Sequence, residues 1–446
     1  MLETYFQLMN RILFRGSFLI STMAVTTFSY AQSPSCDWDN SKEFKENGQF
    51  DGESENWKDL VRENPHARYD IYTNYLQGGT YPTGTQHLIG IDFAEDNLGI
   101  LTERYEATVA YAKSVCDREL HDLAGYKYSQ TLVESGHYST LLNFINSLPQ
   151  HVISESDKAK IELRAKYKTS SQHSSNEPVK LKNLSSRAFP NSLTIKAKAN
   201  NRSSRLIFDT GGNSTSYGYK FGKKAKFHIS EFEDQSRTSN SRTYTSKLGF
   251  IDRLKLGPVS LENVHVNLTP FKPNEFWFDG KNKENFDGIL GFNEIKKLGE
   301  RIRFIVKNNR VDHIIIDDLP PDATAIEENQ DIETKIFLGH QASKPFINLK
   351  IGDQSYACLW DTGWDVTTIS EAIYAKHSDV ITRKDFAQSG KVHGRLNQAM
   401  VAGTSLPHDI RFRDRKTPWC VIGLNAIIAA GGAVWDVKNG RIELGP

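Results

Sequence analysis

The hydrophobic pattern changes character along the 446 residues. Between Trp57 and about Lys168, apolar residues recur at three- and four-residue spacing, the period of a helix with one buried face. Residues 101–120 and 126–132 carry this pattern, and residues 128–149 (YSQTLVESGHYSTLLNFINSLP) read as a helix–turn–helix. Gly136 marks the break, and Tyr138, Leu141, Leu142, Phe144 and Ile145 populate the second helix. No clean tetratricopeptide-type period repeats it. Residues 169–177 (TSSQHSSNE) form a polar linker. From Pro178 the pattern becomes that of strands, at 180–184, 193–198 and 248–268, the last interrupted at Gly257-Pro258 and Glu262-Asn263. A Lys-, Ser- and Arg-rich insertion occupies 217–245. An acidic, proline-bearing stretch at 317–333 reads as a linker, after which strands resume near Ile336.

A single pattern occurs twice within this β region. Residues 206–216 read LIFDTGGNSTS and residues 359–370 read LWDTGWDVTTIS, with Asp209 and Asp361 152 positions apart. In each, an apolar strand ends in an aspartate, and Thr-Gly turns the chain where small residues admit another backbone. A lone Asp-Thr-Gly is an ordinary strand-end turn, but this pair shares its surroundings. Residues 195–208 align with 347–360 at the same offset. Downstream, Ile289-Leu290-Gly291 is echoed by Val421-Ile422-Gly423. Hairpin-like tails follow, at 302–311 around Asn308-Asn309 and at 434–444 around Asn439-Gly440. A repeat of this size implies two similar β lobes.

These residues resemble the pepsin/retropepsin-like aspartic peptidases, in a two-lobed, single-chain form of bacterial type. DTGWDVTTIS (361–370) looks like the retropepsin pattern and DGILG (287–291) like the pepsin one, and the resemblance covers roughly residues 180–446. It implies a mainly β protein. Two similar retropepsin-like β-barrel lobes, 178–320 and 334–446, would form a bilobal aspartic peptidase, preceded by an α-helical domain at 32–170. Asp209 and Asp361 would be catalytic. Two carboxyls brought together share one proton. The ionised one acts as general base on a water; the protonated one polarises the scissile carbonyl and then serves the leaving amine. No metal or cofactor is required. The resemblance also implies that Thr210 and Thr362 bond across the interface, and that Gly211 and Gly363 offer N–H groups near the carboxyls. Lid hairpins would be residues 237–245, with Tyr244 as the lid aromatic, and 388–395 around Gly390 and Gly394. Tyr244 reads more readily as an ordinary strand tyrosine. Asp365 matches the retropepsin aspartate that meets the substrate main chain, its alternative being a solvated turn residue. The sequence departs from the family after each Asp-Thr-Gly, where Gly212 and Trp364 replace the usual Ser, Thr or Ala. Neither has a hydroxyl to favour an ionised carboxyl, which implies a dyad that ionises less readily and a pH optimum nearer neutral. Trp364 either shapes a subsite for small or apolar groups or obstructs the cleft. Two functions follow: an aspartic endopeptidase acting on a peptide or protein substrate, and a non-catalytic peptide- or protein-binding protein of the same fold. The internal repeat argues against a unit assembled from two chains.

The remaining features narrow the setting. A formal net charge of +1 gives no electrostatic reason to expect nucleic acid or a charged membrane surface. Arg11 and Arg15, an apolar run at 18–28 and Ser29-Tyr30-Ala31 read as a signal peptide over 1–31, pointing to a secreted or periplasmic protein that is not integral to the membrane after cleavage. An uncleaved anchor and a lipoprotein at Cys36 are the alternatives, though residues 33–35 do not suit a lipobox. Four cysteines in an oxidising compartment allow three connectivities. In the resembled fold the strands carrying Cys358 and Cys420 run side by side, so that pair is preferred and Cys36–Cys116 would follow; free buried thiols are the alternative. The histidines show no metal-ligand spacing, and no phosphate loop or nucleophilic Ser or Cys motif is present. The helical region reads as a packing or protein-interaction domain, a peptide-binding solenoid, or an inhibitory pro-segment.

Overall fold

The computed structural model describes residues 155–445 except 174–176, 186–191, 238–242, 271–285, 318–333, 335, 339–343, 386–391 and 416–418, together with a set of positions between 105 and 147. The signal stretch, Cys36, Cys116, Gly136, Gly390 and the tips of both expected lids lie outside the described residues.

The first lobe begins with alternation. Along Thr194–Ala199, Ile195, Ala197 and Ala199 are buried while Lys196 and Lys198 face outward. The chain reverses at Asn200-Asn201, both at positive φ (44° and 67°), and returns as Arg202–Phe208. Around this hairpin an eight-stranded sheet takes the order Ser170–His173, Val259–Thr269, Ser216–Gly218, Gly288–Leu290, Arg202–Phe208, Thr194–Ala199, Thr243–Leu256, His228–Arg237. Thr243–Leu256 also pairs back onto Val259–Thr269, which closes the sheet into a barrel. The second lobe's ten-stranded sheet repeats the central run: Thr368–Ser370, Cys420–Ile422, Gln354–Trp360, Pro345–Ile351. Its counterpart of Thr243–Leu256 is broken into Val392–Leu396 and Met400–Val401.

In both lobes the strand entering the aspartate runs parallel to the return strand: Phe208 pairs with Leu290, and Trp360 with Ile422. Gly291 and Gly423 end these returns because the Asp loop lies directly on them. A Cβ at Gly291 would lie 2.7 Å from the Ser214 carbonyl oxygen, and one at Gly423 would lie 2.8 Å from that of Trp364.

The hairpin tails join the lobes. Arg301–Lys307 and Arg310–Asp317 turn at Asn308-Asn309 (φ 52° and 54°); Gly432–Asp436 and Arg441–Leu444 turn with Gly440 at φ 63°. Arg301–Lys307 pairs antiparallel with Gly432–Asp436, and Val179–Lys182 completes a five-stranded sheet shared by both lobes. Its Ile302, Phe304, Ile314, Trp435 and Ile442 belong to one core that runs through both barrels.

The helices Tyr138–Ser147 and Glu155–Lys166 precede the β lobes. Tyr138, Leu141 and Ile145 form the buried face of the first and pack with Tyr105, Ala124, Tyr128 and Leu132. They rest on the first lobe: the Tyr167 ring stacks on Phe250 at 4.5 Å, and its carbonyl accepts a bond from His265 Nε2 at 2.6 Å. Burial pushes His265 down to about 4. A cavity of about 240 Å³ remains between the helices and the lobe, lined by Tyr138, His265 and Lys297 among others.

Three sequence expectations change. The linker at 169–177 contains a strand, Ser170–His173, paired with Val259–Glu262. All four residues are exposed, so an edge strand of this kind has no hydrophobic alternation to betray it. The insertion at 217–245 holds a helix, Tyr219–Lys224, and the strand His228–Arg237. Glu262-Asn263 does not break its strand, although Asn263 sits at φ 54°. Among the described residues, no helix is long and apolar enough to cross a membrane.

Candidate active site

The two Asp turns meet at the lobe interface in a near-symmetric arrangement. Leu206 and Phe208 anchor one strand in the core, and Cys358 and Trp360 anchor the other. Each aspartate is held at its N–H by the return strand: Asp209 donates to Leu290 O at 3.1 Å and Asp361 to Ile422 O at 3.0 Å. The threonines then cross over. Thr210 Oγ1 donates to Trp360 O at 2.8 Å and accepts from Thr362 N at 3.0 Å. Thr362 Oγ1 donates to Phe208 O at 2.7 Å and accepts from Thr210 N at 3.1 Å. Both threonines are essentially inaccessible to solvent, so these four bonds join the lobes in a dry environment.

The carboxyls of Asp209 and Asp361 hydrogen-bond one another. Gly363 N donates to Asp361 Oδ1 at 2.9 Å. In the first lobe the N–H at 2.9 Å from Asp209 Oδ1 belongs to Gly212, and Gly211 contributes a second. Each turn glycine also makes room for the opposite carboxyl. A Cβ on Gly363 would lie 2.5 Å from Asp209 Cγ, and one on Gly211 would lie 2.7 Å from Asp361 Oδ1. Burial raises both carboxyls. Asp361 stands well above the usual range because the Asp209 charge adds to burial, whereas the hydrogen bond from Asp361 restrains the rise of Asp209. The two buried carboxyls therefore hold one proton between them more tightly than an isolated aspartate would, and the titration belongs to the pair.

Behind each turn lies a second matched set that sequence reading missed. Thr215 Oγ1 accepts from Gly291 N, and Thr367 Oγ1 accepts from Gly423 N, both at 3.2 Å. Glu294 takes both Thr215 N (3.0 Å) and its hydroxyl (2.7 Å), and Asn425 Oδ1 does the same for Thr367 (2.6 and 3.1 Å). Burial raises the Glu294 carboxyl. The 152-residue offset that links the aspartates also links Thr215 to Thr367, so this signal was present in the sequence.

Other expected residues are placed as follows. Gly212 O accepts from Phe292 N at 2.7 Å, and Trp364 O from Leu424 N at 2.8 Å. Both positions thus serve through backbone, which tolerates side chains as different as hydrogen and indole. The Trp364 ring is partly buried and pinned by its Nε1 donating to Thr368 Oγ1 at 2.8 Å. Asp365 is occupied: both its oxygens accept from Arg411, at 2.6 and 2.7 Å. A bidentate pair accounts for this aspartate without a substrate, and Arg411 carried no motif that sequence could single out. The first expected lid is a hairpin of His228–Arg237 and Thr243–Leu256, with Tyr244 opposite Ser236 and partly buried. The second is formed by Ile381–Asp385 and Val392–Leu396. Gly394 lies within the strand, opposite Arg383, where a Cβ would stand 2.5 Å from Thr382 O and press on the Phe412 ring. It is a packing position, not a lid tip. Cys358 and Cys420 are joined by a disulfide.

Comparisons with known proteins bear on a portion of the chain. No curated protein matches the sequence. Among solved structures, the soybean basic 7S globulin shares 10% identity at a TM-score of 0.39, covering 59% of this chain and 93% of its own. Conglutin gamma, a basic 7S globulin from lupine seeds, shares 12% identity at a TM-score of 0.39, covering 60% and 94%. A family model described as aspartyl protease matches residues 195–293, the stretch that contains the first Asp turn and its return, so the first lobe is similar to that family.

Proposed function

We propose that this protein is an aspartic endopeptidase that hydrolyses peptide bonds with a water activated by Asp209 and Asp361. The observation that carries this is the shared hydrogen bond between two carboxyls from different lobes, held by reciprocal threonine bonds. The ionised Asp209 takes a proton from the water as it attacks the carbonyl carbon. Protonated Asp361 donates a hydrogen bond to the carbonyl oxygen, and collapse of the tetrahedral species returns a proton to the leaving amine. The N–H groups of Gly212 and Gly363 fix the two carboxyls without a proton of their own to give away. With no hydroxyl at 212 or 364, the pair ionises less readily, which favours a pH optimum nearer neutral. The lid hairpins that the family resemblance implies would exclude water once a peptide is bound.

A secreted or periplasmic setting accords with the disulfide in the second lobe. The helices against the first lobe are a pro-segment or a partner surface. A second function, peptide binding without cleavage, is favoured by one observation: the pinned indole of Trp364 immediately follows a catalytic turn. Cleavage of a broad peptide library across pH 3 to 8, beside Asp361→Asn, separates the two. The substitution removes the shared proton with little change of shape, so cleavage should fall by about 10²- to 10⁴-fold. Binding without cuts at any pH from the unaltered protein would establish the binding function instead.

A further inference from the structure

The cavity at the junction of the helices and the first lobe lies against the Asp209 loop. At about 240 Å³ it is smaller than the roughly 300 Å³ at which pockets for drug-sized ligands begin, so an occupant must be small. Asn213 and Ser214 of the loop line one side, together with Glu294, which holds Thr215. Tyr138, Arg164 and Lys168 line it from the helical side. Three cations, Arg164, Lys168 and Lys297, thus face one carboxyl, Glu294. That carboxyl is already committed: its Oε2 accepts from both the N–H and the hydroxyl of Thr215, and burial raises it. Even counted as ionised, it offsets one charge of the three. Among the described residues, neither Lys168 nor Lys297 closes an ion pair, and Lys297 is half-buried, where an unmatched ammonium is costly until an anion joins it. His265, also in the lining, adds no charge at neutral pH, because burial pushes it down to about 4 and the charges of Arg164 and Lys297 act the same way. Ser214 Oγ accepts from Asn267 Nδ2 at 2.9 Å, which leaves the serine proton to donate.

We propose that this cavity binds a small multivalent oxyanion, of the phosphate or dicarboxylate class, and that the bound anion ties the helices to the Asp209 loop. Lys297 supplies charge from the lobe, Arg164 and Lys168 from the helical side, and Ser214 a hydroxyl from the loop. The excess of at least two positive charges selects a multivalent anion over a monovalent one. An occupant that binds the assembled junction better than its separated halves stabilises the junction by mass action. The site stands whether or not the dyad cleaves peptides.

The test is calorimetric titration of the full chain at neutral pH with inorganic phosphate and, separately, with malonate, against a chloride background of constant ionic strength. One of the two should bind saturably at a single site, and the tighter of them fixes the class. Lys297→Gln and Lys168→Gln should each weaken binding about tenfold, and Lys297→Arg should bind like the unaltered protein. Lys168 is exposed, so its variant keeps the fold and decides the matter even where Lys297→Gln does not fold. Hydrogen exchange read by mass spectrometry adds the coupling: with the anion bound, amides of residues 155–168 and of 209–216 should both exchange more slowly. No saturable binding of either anion, or binding that Lys168→Gln leaves unchanged, would overturn the proposal. Slower exchange on one side alone would overturn the tie between helices and loop.

Discussion

Replacing Thr362 by valine preserves shape and removes one hydroxyl, leaving Phe208 O and Thr210 N without their partner in a dry interface. Each buried, unmade bond costs about 1–3 kcal/mol, so Thr362→Val should lose about 2–5 kcal/mol in chemical denaturation. An unchanged midpoint and slope would mean that the crossed threonines do not hold the lobes. Asp361→Asn should do the opposite to stability. Burial and the Asp209 charge raise the folded-state pKa of Asp361 above its unfolded value, so the folded protein holds this proton more tightly. The stability that results is fully present below the unfolded pKa, about 3.9, and is lost as pH rises through the folded value. Asn carries no such penalty. The variant's Tm should therefore exceed that of the unaltered protein by a margin that widens above about pH 4, each kcal/mol being worth about 2–4 °C. A constant margin across pH would contradict the raised Asp361. At this scale the Asp, Thr and Gly positions were legible because a repeated tripeptide at a fixed offset is informative by itself. Arg411, Glu294 and Asn425 were not, since each acts by reaching a partner more than 40 residues away.

Elements show a similar division. The hairpin turns at Asn308-Asn309 and Asn439-Gly440 were legible from residues suited to positive φ, and the helix Tyr138–Ser147 from its apolar spacing. Ser170–His173 was not, because a polar edge strand is defined by the partner it pairs with. The parallel pairing of Gln354–Trp360 with Cys420–Ile422 explains the disulfide: Leu359 faces Val421, so Cys358 and Cys420 are neighbours one step before. The bridge spans 62 residues of sequence, and its loop-closure effect on the unfolded chain is about 4 kcal/mol. Replacing both cysteines by alanine should lower unfolding stability by about that amount, measured by urea titration. A loss under about 1 kcal/mol would place the constraint elsewhere.

At the scale of the whole molecule, the lobes are joined beneath the dyad by aromatic side chains. Phe208 and Trp360, each immediately before its aspartate, both pack against Phe304 at 6.0 Å. Trp435 lies edge-on to Trp360 at 5.0 Å and stacks on Phe292 at 5.7 Å. Its strand pairs with Arg301–Lys307 of the first lobe, so one residue touches core, return turn and shared sheet. Trp435→Ala should cost about 3–5 kcal/mol, and because it loosens the platform under both aspartates, kcat should fall with it. A stability loss with kcat unchanged would show that the dyad is held by the threonines alone.

The sequence by itself determined that there are two β lobes, which aspartates end their central strands, and where the tail hairpins turn. These are local properties: alternation, turn residues and a repeat offset each speak within a few residues of themselves. The tertiary structure decided how the repeats face one another. It crossed the threonines and buried the two carboxyls against one another. It also closed Asp365 on Arg411. Those outcomes depend on strand register and burial across residues far apart in the chain. The ionisation of a carboxyl is set by whatever charge and solvent surround it in space.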